Sequence, residues 1–258
     1  MHKVILRLRT YQFLFQQLVH RDFTKKYKRT VLGVAWSVLS PLLTLLVMNV
    51  IFGTLLGSDI EHYTIYLFSG QLVFSFFNES TNEGMTSLLN NADIFTKVNI
   101  PKYMFLFSKN ISSLINFGIT LCIYFLFVLI NGIPITWKFI LLLYPIVCLV
   151  MFNVGVGLIL SAAYVFFRDI QYLYGIFTML LMYMSAIFYS IDTFPQIGRN
   201  LFLVNPVYVY IRYFRKIVIE NTIPSVWFHL IAIGYALIAL LVGFFIYKKK
   251  NHSFLYYV

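Results

Sequence analysis

Charge is what this chain has least of. Only 11% of its 258 residues are Asp, Glu, Lys or Arg, against about 25% in soluble domains, which excludes an ordinary water-exposed surface. Cysteine occurs twice, at Cys122 and Cys148, each inside an apolar run, so a secreted disulfide framework is excluded too. There is no glycine-rich phosphate loop ending in Lys-Ser or Lys-Thr, so nothing in the chain holds ATP in that way. There is no HExxH pattern and no paired-cysteine metal spacing. The histidines are scattered, and His229, inside an apolar run without a second ligand at helical spacing, reads as a packing or interfacial residue. Segments of about 10 residues alternating in polarity, the mark of a membrane β-barrel, do not occur.

What remains is hydrophobic. The apolar share is 60% and the mean hydropathy +0.81, the composition of an integral membrane protein. Uncharged stretches cover 30–58, 62–78, 110–137, 139–167, 170–191 and 221–247. A span needs about 20 apolar residues, and these stretches predict an all-α protein with six transmembrane helices at 30–56, 63–89, 109–131, 137–166, 171–190 and 225–247. The second stretch reaches its length by running on to Leu89 past Glu79 and Glu83. A carboxylate at the bilayer centre costs about 2.5–3.5 kcal/mol or more, so these two belong near the interface or against a wet interior.

Basic residues set the orientation. Lys3, Arg7, Arg9, Arg21, Lys25, Lys26, Lys28 and Arg29 precede the first span, Lys97, Lys102 and Lys109 follow the second, and Lys248, Lys249 and Lys250 close the chain. With six spans these fall on one side, together with Arg168, and the positive-inside rule makes that side cytoplasmic, as it does both termini. The 191–224 segment disobeys: it should be external, yet it carries Arg199, Arg212, Arg215 and Lys216. At the N-terminus Val4, Ile5, Leu8, Phe15, Leu18, Val19 and Phe23 recur at helical spacing between polar residues. That pattern predicts an amphipathic helix over 1–29 in the cytoplasmic interface, a solvated basic tail being the alternative.

Aromatics are plentiful: 27 Phe, 19 Tyr and 3 Trp. Belts at the two interfaces and lipid-facing packing account for many. Phe74, Phe76, Phe77, Tyr183, Phe188 and Tyr189, however, lie in runs that also carry Ser, Asn or Glu. Ring faces beside hydroxyls and amides suit a sugar chain.

Four stretches carry a resemblance: LVHRDFTKKYKRTVLGVAWSVLSPLLTLLVMNVIF (18–52), FFNESTNEGMTSLLNNADIFTKVNIPKYMFLFSKNISSLINF (76–117), FFRDI (166–170) and NPVYVYIRYFR (205–215). In order and spacing, over almost the whole chain, they resemble the permease subunit of ABC-2 type exporters of cell-surface polysaccharides. The resemblance implies a homodimer in the bacterial cytoplasmic membrane, driven by two copies of a separate cytoplasmic ATPase that uses ATP and Mg. It implies no cofactor on this chain, no enzymatic activity and no nucleic-acid partner; a lipid-linked glycan (O-antigen, teichoic acid or similar) is the substrate, in contact with membrane lipids. It also implies that Asn91, Asp93, Phe95, Lys97 and Lys102, in the 90–108 loop, dock into the ATPase. Arg168 and Asp169, in the 167–170 turn, then make a second contact or pin the turn. The 191–224 segment becomes short re-entrant helices on the external side, broken at Pro195 and Pro206. Arg21, Lys25, Lys26, Lys28 and Arg29 stand at the channel entrance, where substrate phosphates or anionic headgroups account for their charge. A drug exporter of the same superfamily shares these features. A secondary transporter should show inverted repeats, and a membrane-bound transferase should gather groups such as His229, Glu79 and Glu83 at one site.

Overall fold

In a computed structural model the chain is described for residues 2–28, 30–56, 60–98, 100–192, 194–251, 253–255 and 257. Ten α-helices are described: α1 His2–Tyr27, α2 Trp36–Leu56, α3 Tyr63–Thr86, α4 Ala92–Phe95, α5 Tyr103–Ile130, α6 Leu143–Phe166, α7 Ile170–Met184, α8 Gln196–Phe202, α9 Pro206–Val218 and α10 Val226–Lys250.

The expected six spans become four. Among the described residues, Gly33–Gly53, Tyr103–Ile130, Trp137–Phe166 and Val226–Lys250 are long and apolar enough to cross a membrane. The other two expected spans fail for different reasons. α3 has 24 residues, but Asn78, Glu79, Ser80, Thr81, Asn82 and Glu83 make its second half too polar for lipid. α7 has 15 residues, about 22 Å of helix against a core of about 30 Å. The molecule is an all-α, multi-pass bundle with four candidate spans, and a sidedness obtained by counting six crossings loses its basis.

α3 occupies the middle. α2, α5, α6, α7 and α9 pack against it, and most of its residues are buried, including Ile65, Leu67, Phe68, Leu72, Phe76 and Phe77. Its polar residues Gln71, Ser75, Asn78, Glu79, Asn82 and Glu83 form the accessible stripe left between these contacts. α6 lies between α3 and α10 and meets each through glycine. Gly157 faces Gly84 of α3, where an added Cβ on Gly84 would stand 3.2 Å from the Gly157 Cα. Two residues earlier, about 200° round the helix, a Cβ on Gly155 would overlap the backbone of Ala239 and Leu240 of α10. Ala232, Ala236, Ala239 and Gly243 give α10 a buried small-residue face. Such faces let backbones approach where no hydrophobic force drives helices together.

The two prolines flagged in the 191–224 segment both start helices. Pro195 caps α8 and Pro206 opens α9, where its missing N–H costs nothing. Asn205 caps α9 by accepting from the Val207 and Tyr208 amides at 3.0 and 3.3 Å. It also ties α9 to the end of α7, donating to the Ser185 hydroxyl at 2.9 Å and the Met184 carbonyl at 3.2 Å. After Met184 the chain unwinds, with Ala186 at φ 49°. Four successive carbonyls are then bound by side chains. Arg215 donates to Ala186 at 2.8 Å and Ile187 at 3.1 Å, Tyr63 to Phe188 at 2.9 Å, and Tyr66 to Tyr189 at 2.7 Å. Arg215 itself is 1% exposed, and among the described residues no carboxylate pairs with it. Its guanidinium also donates to the Tyr66 carbonyl at 3.1 Å and lies 3.4 Å from the centre of the Tyr66 ring. Arg212 is more accessible and pairs with Glu220 and Asp192.

Replacing Arg215 with Met should strip the Ala186 and Ile187 carbonyls of their donors. Each unsatisfied buried group costs about 1–3 kcal/mol, so the variant should reach the membrane at reduced level and unfold at lower temperature in detergent. An unchanged thermal transition would contradict the role assigned to the clamp.

Candidate functional site

Three helices and the end of α1 enclose a cavity of about 410 Å³ whose lining follows helical spacing. α2 contributes Trp36, Ser40 and Thr44 on one face and Ser37 and Pro41 beside it. α3 contributes Gln71, Ser75 and Glu79, four residues apart, with Phe68, Leu72 and Phe76 alongside. α5 contributes Ser113, Asn116, Phe117 and Thr120, and Lys26, Tyr27 and Thr30 close one end. The wall therefore alternates rings with hydroxyl and amide groups. Phe76 and Phe117 are in contact, with ring centres 4.6 Å apart, and Gln71 donates to Ser75 at 2.9 Å.

Glu79 organises the charged end. Lys26 lies 3.0 Å from it, the Asn116 amide donates to both carboxylate oxygens at 3.3 Å, and Tyr27 donates to the Asn116 oxygen at 2.6 Å. A second polar layer continues from this end. Asp22, 5% exposed, is paired with Arg21 at 2.8 Å and Lys109 at 3.8 Å, and accepts from Ser108 at 2.9 Å. Lys109 reaches Glu83 at 2.7 Å. Arg21 also donates to the Asn91 side chain at 2.8 Å, linking α1 to the loop before α4. The two α3 carboxylates, both partly exposed, thus pair with cations supplied by α1 and α5. The chemistry available is recognition: rings to cover apolar faces, hydroxyls and amides to exchange hydrogen bonds, one ion pair. Among the described residues no group of His, Cys, Asp and Glu is arranged to hold a metal ion.

The residues singled out in the sequence are distributed as follows. Of the six channel aromatics, Phe76 lines the cavity. Phe74 and Phe77 lie in the core, and Phe188 stacks on Phe52 with centres 4.5 Å apart. Tyr189 donates to the Tyr183 carbonyl at 2.9 Å, and Tyr183 is exposed at the end of α7. In the entrance set Arg21 and Lys26 are paired as above, Lys25 and Lys28 are exposed, and Arg29 lies outside the described residues. In the 90–108 loop Asn91 and Phe95 are buried, Phe95 against Phe105 with centres 6.1 Å apart. Lys102 donates to the Asn251 carbonyl at 2.6 Å, while Asp93 and Lys97 are exposed. Arg168 and Asp169 are exposed in a turn whose hydrogen bonds run through the backbone, Tyr172 N to Asp169 O at 3.0 Å among them. Sequence reasoning did not single out Gln71, Ser75, Ser40, Thr44, Asn116, Thr120 or Asp22. The signal that finds the first two is their four-residue spacing from Glu79 along an otherwise apolar helix.

A multi-pass helical bundle with four candidate membrane spans among the described residues defines an integral membrane protein. The chain belongs to the ABC-2 type transporter family, whose model matches residues 13–219. It is 27% identical over 251 residues to an O-antigen export system permease protein, RfbA, of Klebsiella pneumoniae, covering 94% of this chain and 95% of that one. It is 27% identical over 229 residues to the RfbA of Myxococcus xanthus, covering 87% of each. It is 22% identical over 248 residues to the polysialic acid transport protein KpsM of Escherichia coli, covering 93% and 94%. The resemblance carried by the four quoted stretches therefore holds, and the chain is a non-catalytic permease subunit in a multi-pass membrane location.

Replacing Glu79 with Gln should release Lys26 and loosen the end of α1, whose other ties through Asp22 remain. Protease cleavage between Lys25 and Lys28 should speed up several-fold while the global unfolding temperature moves by no more than a few degrees. Unchanged cleavage would show that the Lys26–Glu79 pair does not hold α1.

Proposed function

We propose that this chain is the membrane-spanning subunit of an ATP-driven exporter of a lipid-linked cell-surface polysaccharide, acting as a homodimer with two copies of a separate cytoplasmic ATPase. The observation that carries this reading is the near full-length similarity to permeases named for O-antigen and polysialic acid export. The cavity supports it. Aromatic faces beside Gln71, Ser75, Asn116 and Thr120 offer a glycan both its C–H contacts and its hydrogen-bond partners.

One end of the bundle gathers the C-terminal half of α1, the 90–108 loop, the last turns of α6 and α10, and Phe254 into a single apolar cluster. Lys25, Lys97, Lys102 and Lys248 to Lys250 lie at that end, and the positive-inside rule makes it cytoplasmic. Asp93 and Lys97, exposed there beside the exposed Val98, are the groups available to an ATPase; Arg168 and Asp169 stand in the exposed turn that follows α6. Phe95 is an internal anchor and Asn91 a partner of α1, so both act by holding the loop in shape. ATP and Mg are handled by the partner. Work reaches this chain because its two conformations bind the ATPase states with different affinity.

Two substitutions separate cargo recognition from coupling. Gln71→Leu with Ser75→Val removes two polar groups, each worth about 0.5–1.5 kcal/mol in hydrogen bonding, and should lower stimulation of ATP hydrolysis by purified lipid-linked glycan about tenfold while basal hydrolysis persists. Asp93→Arg with Lys97→Glu should abolish co-purification of the ATPase and leave membrane insertion intact. Glycan stimulation that survives the first change would overturn the cavity's role, and normal co-purification after the second would overturn the docking site.

A further inference from the structure

A second cavity lies on the far side of the cytoplasmic-end cluster, and nothing in the transport reading uses it. It holds about 980 Å³, the upper end of the roughly 300–1,000 Å³ typical of small-molecule sites. Its floor is Val154 and Leu158 of α6. Its walls are Tyr103 and Phe107 from the first turns of α5, and Leu241 and Phe244 of α10. Lys102 and Lys248 border the apolar space. No acid pairs with either among the described residues. Lys102 is held between the rings of Phe95 and Phe254, 5.6 Å from each centre; Lys248 is 6.0 Å from the centre of the Phe244 ring. Burial pushes the Lys102 ammonium below the ordinary lysine value, as expected of a cation that has lost water without gaining an anion. Tyr247, also on the border, is 6% exposed, and its buried hydroxyl has no hydrogen-bond partner.

We propose that this groove binds one anionic glycerophospholipid, with an acyl chain against Val154, Leu158 and Phe107 and the phosphate between Lys102 and Lys248. An apolar groove is not selective inside a bilayer, because acyl chains are everywhere. Selection comes from the headgroup: Lys102, which donates to the Asn251 carbonyl at 2.6 Å, and Lys248 have no acid partner among the described residues, and the Tyr247 hydroxyl has no acceptor among them. A diacyl phosphodiester supplies that acceptor on an apolar tail of the right cross-section, and basic side chains at the headgroup level favour anionic over zwitterionic lipid. The groove borders Phe95 and Pro101, so an occupant braces the loop that carries Asp93 and Lys97. This inference does not depend on the identity of the cargo.

Native mass spectrometry of the full-length chain, released from nanodiscs with equal mole fractions of phosphatidylglycerol and phosphatidylcholine, reads the site. The wild type should retain one phosphatidylglycerol with about tenfold preference. Lys248→Gln, at an exposed position, should cut that preference several-fold, and adding Lys102→Gln should abolish it. Leu241→Trp, also at an exposed position, fills the groove and should lower retention of both lipids. Equal retention of the two lipids by the wild type, or a preference that survives in the double lysine variant, would overturn the proposal. So would displacement of phosphatidylglycerol by equimolar polyprenyl phosphate, which would assign the groove to a polyprenyl carrier instead.

Discussion

A guanidinium with no carboxylate beside it among the described residues holds the centre of this bundle. Arg215 gives up water at a cost of several kcal/mol, and the return is charge-assisted bonding to carbonyls, Tyr66 on α3 and Ala186 and Ile187 after α7, together with the face of the Tyr66 ring. The Tyr66 carbonyl is shared with α3, whereas the chain unwinds after α7 and frees those of Ala186 and Ile187. The turn at Ala186, with its φ of 49°, is where it does so, at roughly 1–2 kcal/mol for a non-glycine residue. Space for the guanidinium comes from Gly70, where an added Cβ would stand 3.0 Å from Arg215 Nη2 and 3.0 Å from the Ile187 side chain. Arg215, Ala186 and Gly70 form one arrangement across three segments. The end of α7 and the placement of α9 follow from it.

That clamp shows where sequence reading succeeds and where it stops. Pro206 marks a break or a helix start by chemistry that is entirely local, and the structure starts α9 there. Arg215 announced only that a basic residue lay in a segment expected to be external. Its real partners lie 28–149 residues away along the chain, which no periodicity reveals. The span count failed for a related reason. Hydropathy asks whether a stretch would suit lipid, but most of α3 packs against other helices, so its polar half is no break in the helix. That Glu79 and Glu83 belong near the interface or against a wet interior was legible, because the cost of a bare carboxylate in lipid is a local argument. The identities of their cations, Lys26 and Lys109, are tertiary facts.

The glycines make a parallel case. Gly155 and Gly157, unremarkable in the sequence, set how closely α6 meets α10 and α3, and being two apart they serve opposite faces. Small residues at helix crossings are common enough in membrane proteins that the stripe Ala232, Ala236, Ala239 and Gly243 on α10 was available to a reader of the sequence. Its partner was not, because the matching face on α6 is one residue wide.

The position of α1 joins the two ends of the functional argument. Lys26 and Tyr27 close the cavity through Glu79 and Asn116, and Arg21, less than two turns earlier, holds Asn91 in the loop that presents Asp93 and Lys97. Asp22 is buried between these contacts and tied to α5, so the stretch from Arg21 to Tyr27 is fixed at three points, to α3, to α5 and to the loop before α4. A ligand that competes with Lys26 for Glu79 works against one of those points. Cavity and loop thus share one support, α1, through these side-chain pairs.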